Sequence, residues 1–202
     1  MKKGFTLVEI TIAMTIIGFL CLIMIQTINP KKFDEKANQA NAIKAINFIE
    51  QACAQILDLE TTQVPASRFM VKPAGGSWEY ASTATTSSAL VALFGNHLKY
   101  ESGEVNFCDN TSFCSDTSIK GARVAGGIYI GFEKLSSIGN CPAYRMPGES
   151  ADNPAPQVFN NGSYTAKQCW GKLYIDVNGK DAPNTYGKDV FVYGLGEYGI
   201  EK

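Results

Sequence analysis

The chain has 202 residues, with 18 Lys and Arg against 19 Asp and Glu, for a net charge of −1 at neutral pH. That length allows one globular domain beside an anchor, and the even charge excludes the strongly basic face that a nucleic-acid binder needs. A single His, no Gly-x-Ser-x-Gly, no phosphate-binding glycine loop and no zinc-ligand spacing exclude the common enzyme classes.

The N-terminus carries the most specific signal. Met1-Lys2-Lys3-Gly4 is a short basic leader, and Phe5-Thr6-Leu7-Val8-Glu9 opens an apolar run that reaches Ile28. As a helix, residues 5–28 would extend ~36 Å, enough for the ~30 Å hydrocarbon core of a bilayer. A cleavable secretory signal has its small-residue cut site after the apolar region. Here Gly4 precedes it, so the helix is expected to stay on the mature protein. Lys2, Lys3 and the initial amine place the start of the chain in the cytoplasm, although Lys31 and Lys32 weaken that bias. Glu9 is the chemically odd residue, because a carboxylate near the bilayer costs about 2.5–3.5 kcal/mol on insertion scales. It needs a partner, or headgroup water. Thr11, Thr15 and Gly18 fall on neighbouring parts of one helix face, where helices can approach closely.

The order Gly, Phe, Thr, Leu, Val, Glu joined to an apolar helix resembles the N-terminus of type IV pilin-like proteins, the prepilins, which include pilus subunits and type II secretion pseudopilins. The resemblance covers about the first 30 residues. It implies cleavage between Gly4 and Phe5 by a prepilin peptidase, N-methylation of Phe5, and an assembly role for Glu9. In that role the carboxylate meets the Phe5 α-amine, in its own chain or a neighbouring one. The resemblance also implies a bacterial inner-membrane protein with its head outside the cytoplasm. It would be surrounded by membrane lipid before assembly, then polymerised with other copies or other pilins by inner-membrane assembly machinery.

Asn29-Pro30 interrupts the run, since a proline inside a helix removes a hydrogen bond and kinks it. Beyond it, Ala37, Ala40, Ile43, Ile46, Ile49, Cys53, Ile56 and Leu57 recur at threes and fours, which predicts an amphipathic helix over 33–59 able to lie on a sheet. The two halves together would make one helix of about 55 residues, ~80 Å long. The layout is then leader 1–4, transmembrane helix 5–29, amphipathic continuation 30–59 and globular head 60–202.

Residues 61–88, rich in Thr, Ser, Ala, Pro and Gly, read as a connecting loop with room for one short extended piece. Leu90, Leu93, Phe94 and Leu98 predict a short helix over 87–98, with His97 at its end as a solvent-facing or capping residue. Residues 103–120 read as a polar surface loop. Alternation over 123–133 predicts one half-buried strand, and 136–168, with Pro142, Pro147, Pro154 and Pro156, a long irregular excursion. Two further strands are expected over 170–177 and 188–193. Asn110-Thr111-Ser112 and Asn161-Gly162-Ser163 fit the glycosylation sequon.

Of six cysteines, Cys21 lies in the apolar helix, and the remaining five are expected on the far side of the membrane. An oxidising space favours disulfides. The spacing does not fix their connectivity; Cys108 with Cys114 and Cys141 with Cys169 are the favoured pairs, leaving Cys53 buried and reduced.

Residues 176–191 hold an Asp-x-Asn-Gly, Pro-Asn, Gly-x-Asp, Phe pattern that is similar to the C-terminal region of many prepilin-type proteins. Two readings of the loop stay open. Asp176, Asn178, Asp181 and Asp189 are oxygen-rich enough to hold calcium, an ion that type II secretion major pseudopilins bind near their C-terminus. This chain departs from their pattern, and also lacks an EF-hand's Glu at the twelfth position. Alternatively the same side chains hydrogen-bond their own backbone in a wide turn, with Gly179 and Gly187 at positive φ.

The expected fold is α+β and pilin-like: a long N-terminal helix, its first half in the membrane, packed through its second half on an antiparallel sheet of three or four strands. The expected function is that of a structural subunit of a type IV pilus or type II secretion pseudopilus, not an enzyme. Cys169 precedes the final strands, which tilts the resemblance towards the secretion-type group. A monomeric membrane-anchored extracytoplasmic binding domain is the alternative.

Overall fold

The computed structural model describes residues 7–27, 30–60, 70–71, 76, 79–80, 86–109, 114, 116–160, 162–179, 181 and 183–202. It divides into two compact units, residues 1–35 and 36–202. Helices α1 (Leu7–Thr27) and α2 (Pro30–Glu60) come first in the chain. Pro30 is the first described residue of α2. The junction at 28–29 lies outside the described residues, and with it the expectation of one unbroken helix. Side chains of α1 are described as far as Leu20, about 20 Å of helix. Among the described residues no helix is long and apolar enough to cross a membrane.

In the larger unit, α2 buries Ala42, Ala45, Ile46, Ile49, Ala52, Cys53 and Ile56 in one core with the sheet and helix α3 (Ser87–Gly95). Ile46, Ile49, Cys53 and Ile56 are buried as expected, but the N-terminal part of the stripe runs through Ala42 and Ala45. Ala37, Ala40 and Ile43 are exposed, because each residue turns the helix by about 100° and a stripe set by Ala42, Ala45 and Ile49 leaves Ile43 on the outer side. Helix α3 forms where expected and is capped by Thr86, whose Oγ1 accepts from the N–H of Ala89 at 3.0 Å. Its Phe94 stacks on Phe132 of the sheet with ring centroids 4.6 Å apart.

The main sheet has six antiparallel strands rather than three or four. These are β3 (Val105–Asn106), β4 (Lys120–Val124), β5 (Ile128–Asn140), β8 (Gln168–Asp176), β9 (Val190–Gly196) and β10 (Gly199–Glu201), in spatial order 10-9-8-5-4-3. Within 61–88 the chain forms a two-residue pair, β1 (Met70–Val71) with β2 (Glu79–Tyr80). The single strand expected over 123–133 is a hairpin. Gly126 and Gly127 both take positive φ, 89° and 80°, and turn β4 back onto β5 with Val124 opposite Ile128. The stretch 136–168 is also more ordered than expected. Strand β5 continues to Asn140, and β6 (Gln157–Asn160) and β7 (Ser163–Ala166) form a two-stranded sheet of their own.

The stretch 103–120, read as a polar loop, contributes a second small core. Phe107, fully buried in a 3₁₀ turn, packs with Ile119 and Tyr174 on the other face of the sheet. Gly131 is required beneath it, because a Cβ there would lie 2.6 Å from the Phe107 ring. Strand β8 is therefore covered on both sides. Trp170 is buried with its indole N–H donating to Gly196 O at 2.8 Å.

Candidate functional site

Gly4 and Phe5 lie outside the described residues. Glu9 lies in the first turn of α1 and is exposed. There the N-terminal end of the helix dipole favours a negative charge. The rest of the described helix surface is apolar on every side, with Leu7 81%, Met14 67% and Phe19 66% exposed, and Ile12, Ile16 and Ile17 each more than half exposed. A helix that is apolar all round needs lipid or other helices about it. The two polar side chains on its expected packing face turn back on their own helix. Thr11 Oγ1 donates to Val8 O at 2.9 Å or Leu7 O at 3.1 Å, and Thr15 Oγ1 donates to Thr11 O at 2.7 Å. Such hydroxyls bring no unsatisfied donor into an apolar medium.

The Asp-rich loop lies between β8 and β9. Asp176 Oδ1 accepts the N–H groups of Asn178 at 3.1 Å and Gly179 at 2.7 Å. Asp189 accepts from Asn184 N on Oδ2 at 2.6 Å and from Thr185 N on Oδ1 at 2.7 Å. Both aspartates are fully buried, whereas Asp181 is exposed. Gly179 and Gly187 both have positive φ, 65° and 79°. Carboxylates thus cap the backbone turns of the loop from inside. Among the described residues, no group of three or more His, Cys, Asp or Glu side chains is placed to hold a metal ion.

Disulfides join Cys108 to Cys114 and Cys141 to Cys169, while Cys53 is a buried free thiol. Burial pushes the Cys53 thiol up to about 12, against the opposing pull of a backbone hydrogen bond with Ile200. The Cys141–Cys169 excursion is tied to the Asp-rich loop through Arg145. Its guanidinium lies 5.0 Å from the Tyr186 ring centroid and pairs with Asp152 at 2.9 Å, while its carbonyl accepts from Tyr193 OH at 2.9 Å. His97, half-buried beyond α3, has Nδ1 3.1 Å from Gln55 Oε1.

One surface feature escaped the sequence reading. On the β6–β7 hairpin Phe159 and Tyr164 stand directly opposite each other, 61% and 72% exposed, with ring centroids 5.0 Å apart. The signal was the Asn161-Gly162 pair between Val158-Phe159 and Tyr164-Thr165, a hairpin signature. Asn161, like the Asn110-Thr111-Ser112 sequon, is itself outside the described residues.

Residues 1–25 match the prokaryotic N-terminal methylation motif. The match supports a precursor similar to type IV pilins or pseudopilins and implies processing by a prepilin peptidase. It points to a structural protein, of a kind that usually has no catalytic activity. Comparison with curated proteins and with solved structures gives no match.

Proposed function

We propose that the chain is a prepilin-type structural subunit. It is cut after Gly4, methylated on the new N-terminal Phe5, and held in the bacterial inner membrane by residues 5–29 with its head outside the cytoplasm. It then polymerises through its N-terminal helix into a type IV pilus-like filament, a pilus or a secretion pseudopilus. The observation that carries this reading is the all-round apolar surface of α1 next to the methylation motif. Covering one large apolar side chain is worth about 1.5–3 kcal/mol, so a helix with Leu7, Ile10, Ile12, Met14, Ile16 and Phe19 in water would be strongly driven to find lipid or other helices. Lipid and a helix bundle are nearly equivalent for such a surface. Register in the bundle must come from a polar pair, and Glu9 with the Phe5 amine of its own or a neighbouring subunit supplies it.

The test is Glu9→Leu in the full chain. Processed subunit should still accumulate in the membrane, while filaments fall to background. Filaments at the normal yield would overturn the assembly role and favour a monomeric anchored binding domain. The mature chain should begin at N-methylated Phe5 by mass, and Gly4→Leu should abolish that product.

A further inference from the structure

Among its described residues the head carries an exposed aromatic hairpin and a partly apolar cavity. One is the β6–β7 hairpin, which pairs within itself and carries the exposed Phe159 and Tyr164. It holds no charged residue and no proline from 157 to 166, although isolated strands usually carry one or the other to discourage association. A lone two-stranded hairpin is only marginally stable in water. The other is a cavity of about 260 Å³ lined by Phe48, Leu98, Val124 and Ile130 together with polar side chains that include Gln51 and Lys99. An apolar cavity of about 150 Å³ suffices for a benzene ring. Phe48, at its edge, is 40% exposed and has the Lys44 ammonium 5.6 Å from its ring centroid.

We infer that the Phe159–Tyr164 hairpin of one subunit docks into the Phe48–Leu98 cavity of the next copy in the filament. The inference rests on the polymer reading above. Area decides the occupant. Two aromatic side chains bring roughly 300–500 Å² to a contact, well below the 1,000 Å² or so that a lasting complex between free partners requires. Such a contact is too small to recruit a separate protein, but it suffices between heads already tethered side by side through their N-terminal helices, where the effective concentration is high. A knob on one patch and a hole on another is also a heterologous contact, the kind that propagates as an open helix instead of closing as a dimer. The hairpin thereby sets the angular register of the heads, and the helices supply the strength.

The experiment mixes two full-length single variants, Gln157→Cys, on the same hairpin with both rings intact, and Gln51→Cys, both at exposed positions, lets them assemble and oxidises the filaments mildly. Cross-linked dimer is expected at least tenfold above either variant alone, and above Gln157→Cys mixed with Ser136→Cys, an exposed site outside the cavity. Filaments without that dimer overturn the docking and leave the subunit reading standing. So does an equal dimer yield from Gln157→Cys alone, from the Ser136→Cys mixture, or with an unrelated protein. Failure of the unaltered chain to enter any filament overturns the subunit reading itself. As a second measurement, Phe159→Ser with Tyr164→Ser should lower filament yield at least tenfold while processing after Gly4 is unchanged. An unchanged yield overturns the docking.

Discussion

Thr185 and Asp189 hold each other from both sides: the N–H of Thr185 donates to Asp189 Oδ1 at 2.7 Å, and the N–H of Asp189 donates back to Thr185 O at 3.3 Å. Asn184, at a φ of 47°, donates its N–H to the other carboxylate oxygen. Removing this buried carboxylate leaves two N–H groups without their acceptor, at about 1–3 kcal/mol each. Asp189→Ala is therefore expected to lower the stability of the head by roughly 2–5 kcal/mol, measured by denaturant unfolding. A loss below 1 kcal/mol, or about a tenth of a typical domain's stability, would mean that other contacts hold the loop.

The same geometry bears on calcium. Calcium takes six to eight oxygen ligands, and three of the four carboxylate oxygens of Asp176 and Asp189 already accept backbone N–H groups. Millimolar calcium, or its removal by a chelator, is expected to leave the melting temperature of the protein unchanged. A rise of several degrees with calcium, abolished by Asp181→Asn, would instead assign the ion to this loop.

Gly199 and Cys53 meet where the last strand crosses α2. Gly199 has a φ of 119°, and a Cβ there would lie 2.9 Å from the Cys53 sulfur. Gly199→Ala should thus destabilise through both backbone strain and overlap, by about 1–3 kcal/mol. Cys53→Ala on that background should recover only the overlap with the sulfur, since the Cβ at 53, 3.0 Å away, remains. Full recovery would show that the backbone is not strained. With its thiol pushed up to about 12, Cys53 should also resist alkylation at pH 8 until the head unfolds.

Tyr100, Tyr174 and Tyr193 are all held above the usual value of 10, chiefly by burial, with Glu133 adding to the effect at Tyr174. Tyr174 OH donates to Glu133 Oε2 at 2.6 Å, and Tyr100 OH to Val91 O at 3.0 Å. In the unfolded chain these phenols ionise near pH 10. Their contribution to stability is therefore complete below about pH 9 and lost as pH rises past 10, because only the unfolded state releases the protons. The unfolding midpoint should fall steeply above pH 10, with tyrosinate absorbance appearing in the same step. Smooth titration of all tyrosines near pH 10 in the folded protein would contradict this.

What could be read in the sequence divides along physical lines. The methylation motif is local chemistry, fixed by the order of a few residues. Helix α3 is periodic, and strands β8 and β9 are short runs rich in apolar, β-branched and aromatic residues, the mark of strands buried on both faces. Ile43 was misplaced because several faces of α2 offer apolar residues, and only the sheet selects the one that begins at Ala42. Val124 to Phe132 looked like one strand because Gly126 and Gly127 keep the alternation of period two while turning the chain. Phe107 was overlooked because a lone aromatic among polar residues has no period at all. Asp176, Asn178, Asp181 and Asp189 stand out in the sequence as one oxygen-rich set, but which of them turn inward depends on positive φ at Gly179, Asn184 and Gly187, which composition alone does not assign.

The Cys141–Cys169 bridge lies at the very end of the β5–β8 pairing, beside Gly139 opposite Cys169 and Asn140 opposite Gln168. Alignment of the two central strands is thus pinned at the mouth of the excursion and owes little to what lies inside it. The sheet meets β5 and β8 as though they were one long hairpin with an interchangeable tip. Residues 147–156, between Met146, which packs on the core, and the β6–β7 hairpin, can therefore change length while β5 and β8 stay in register.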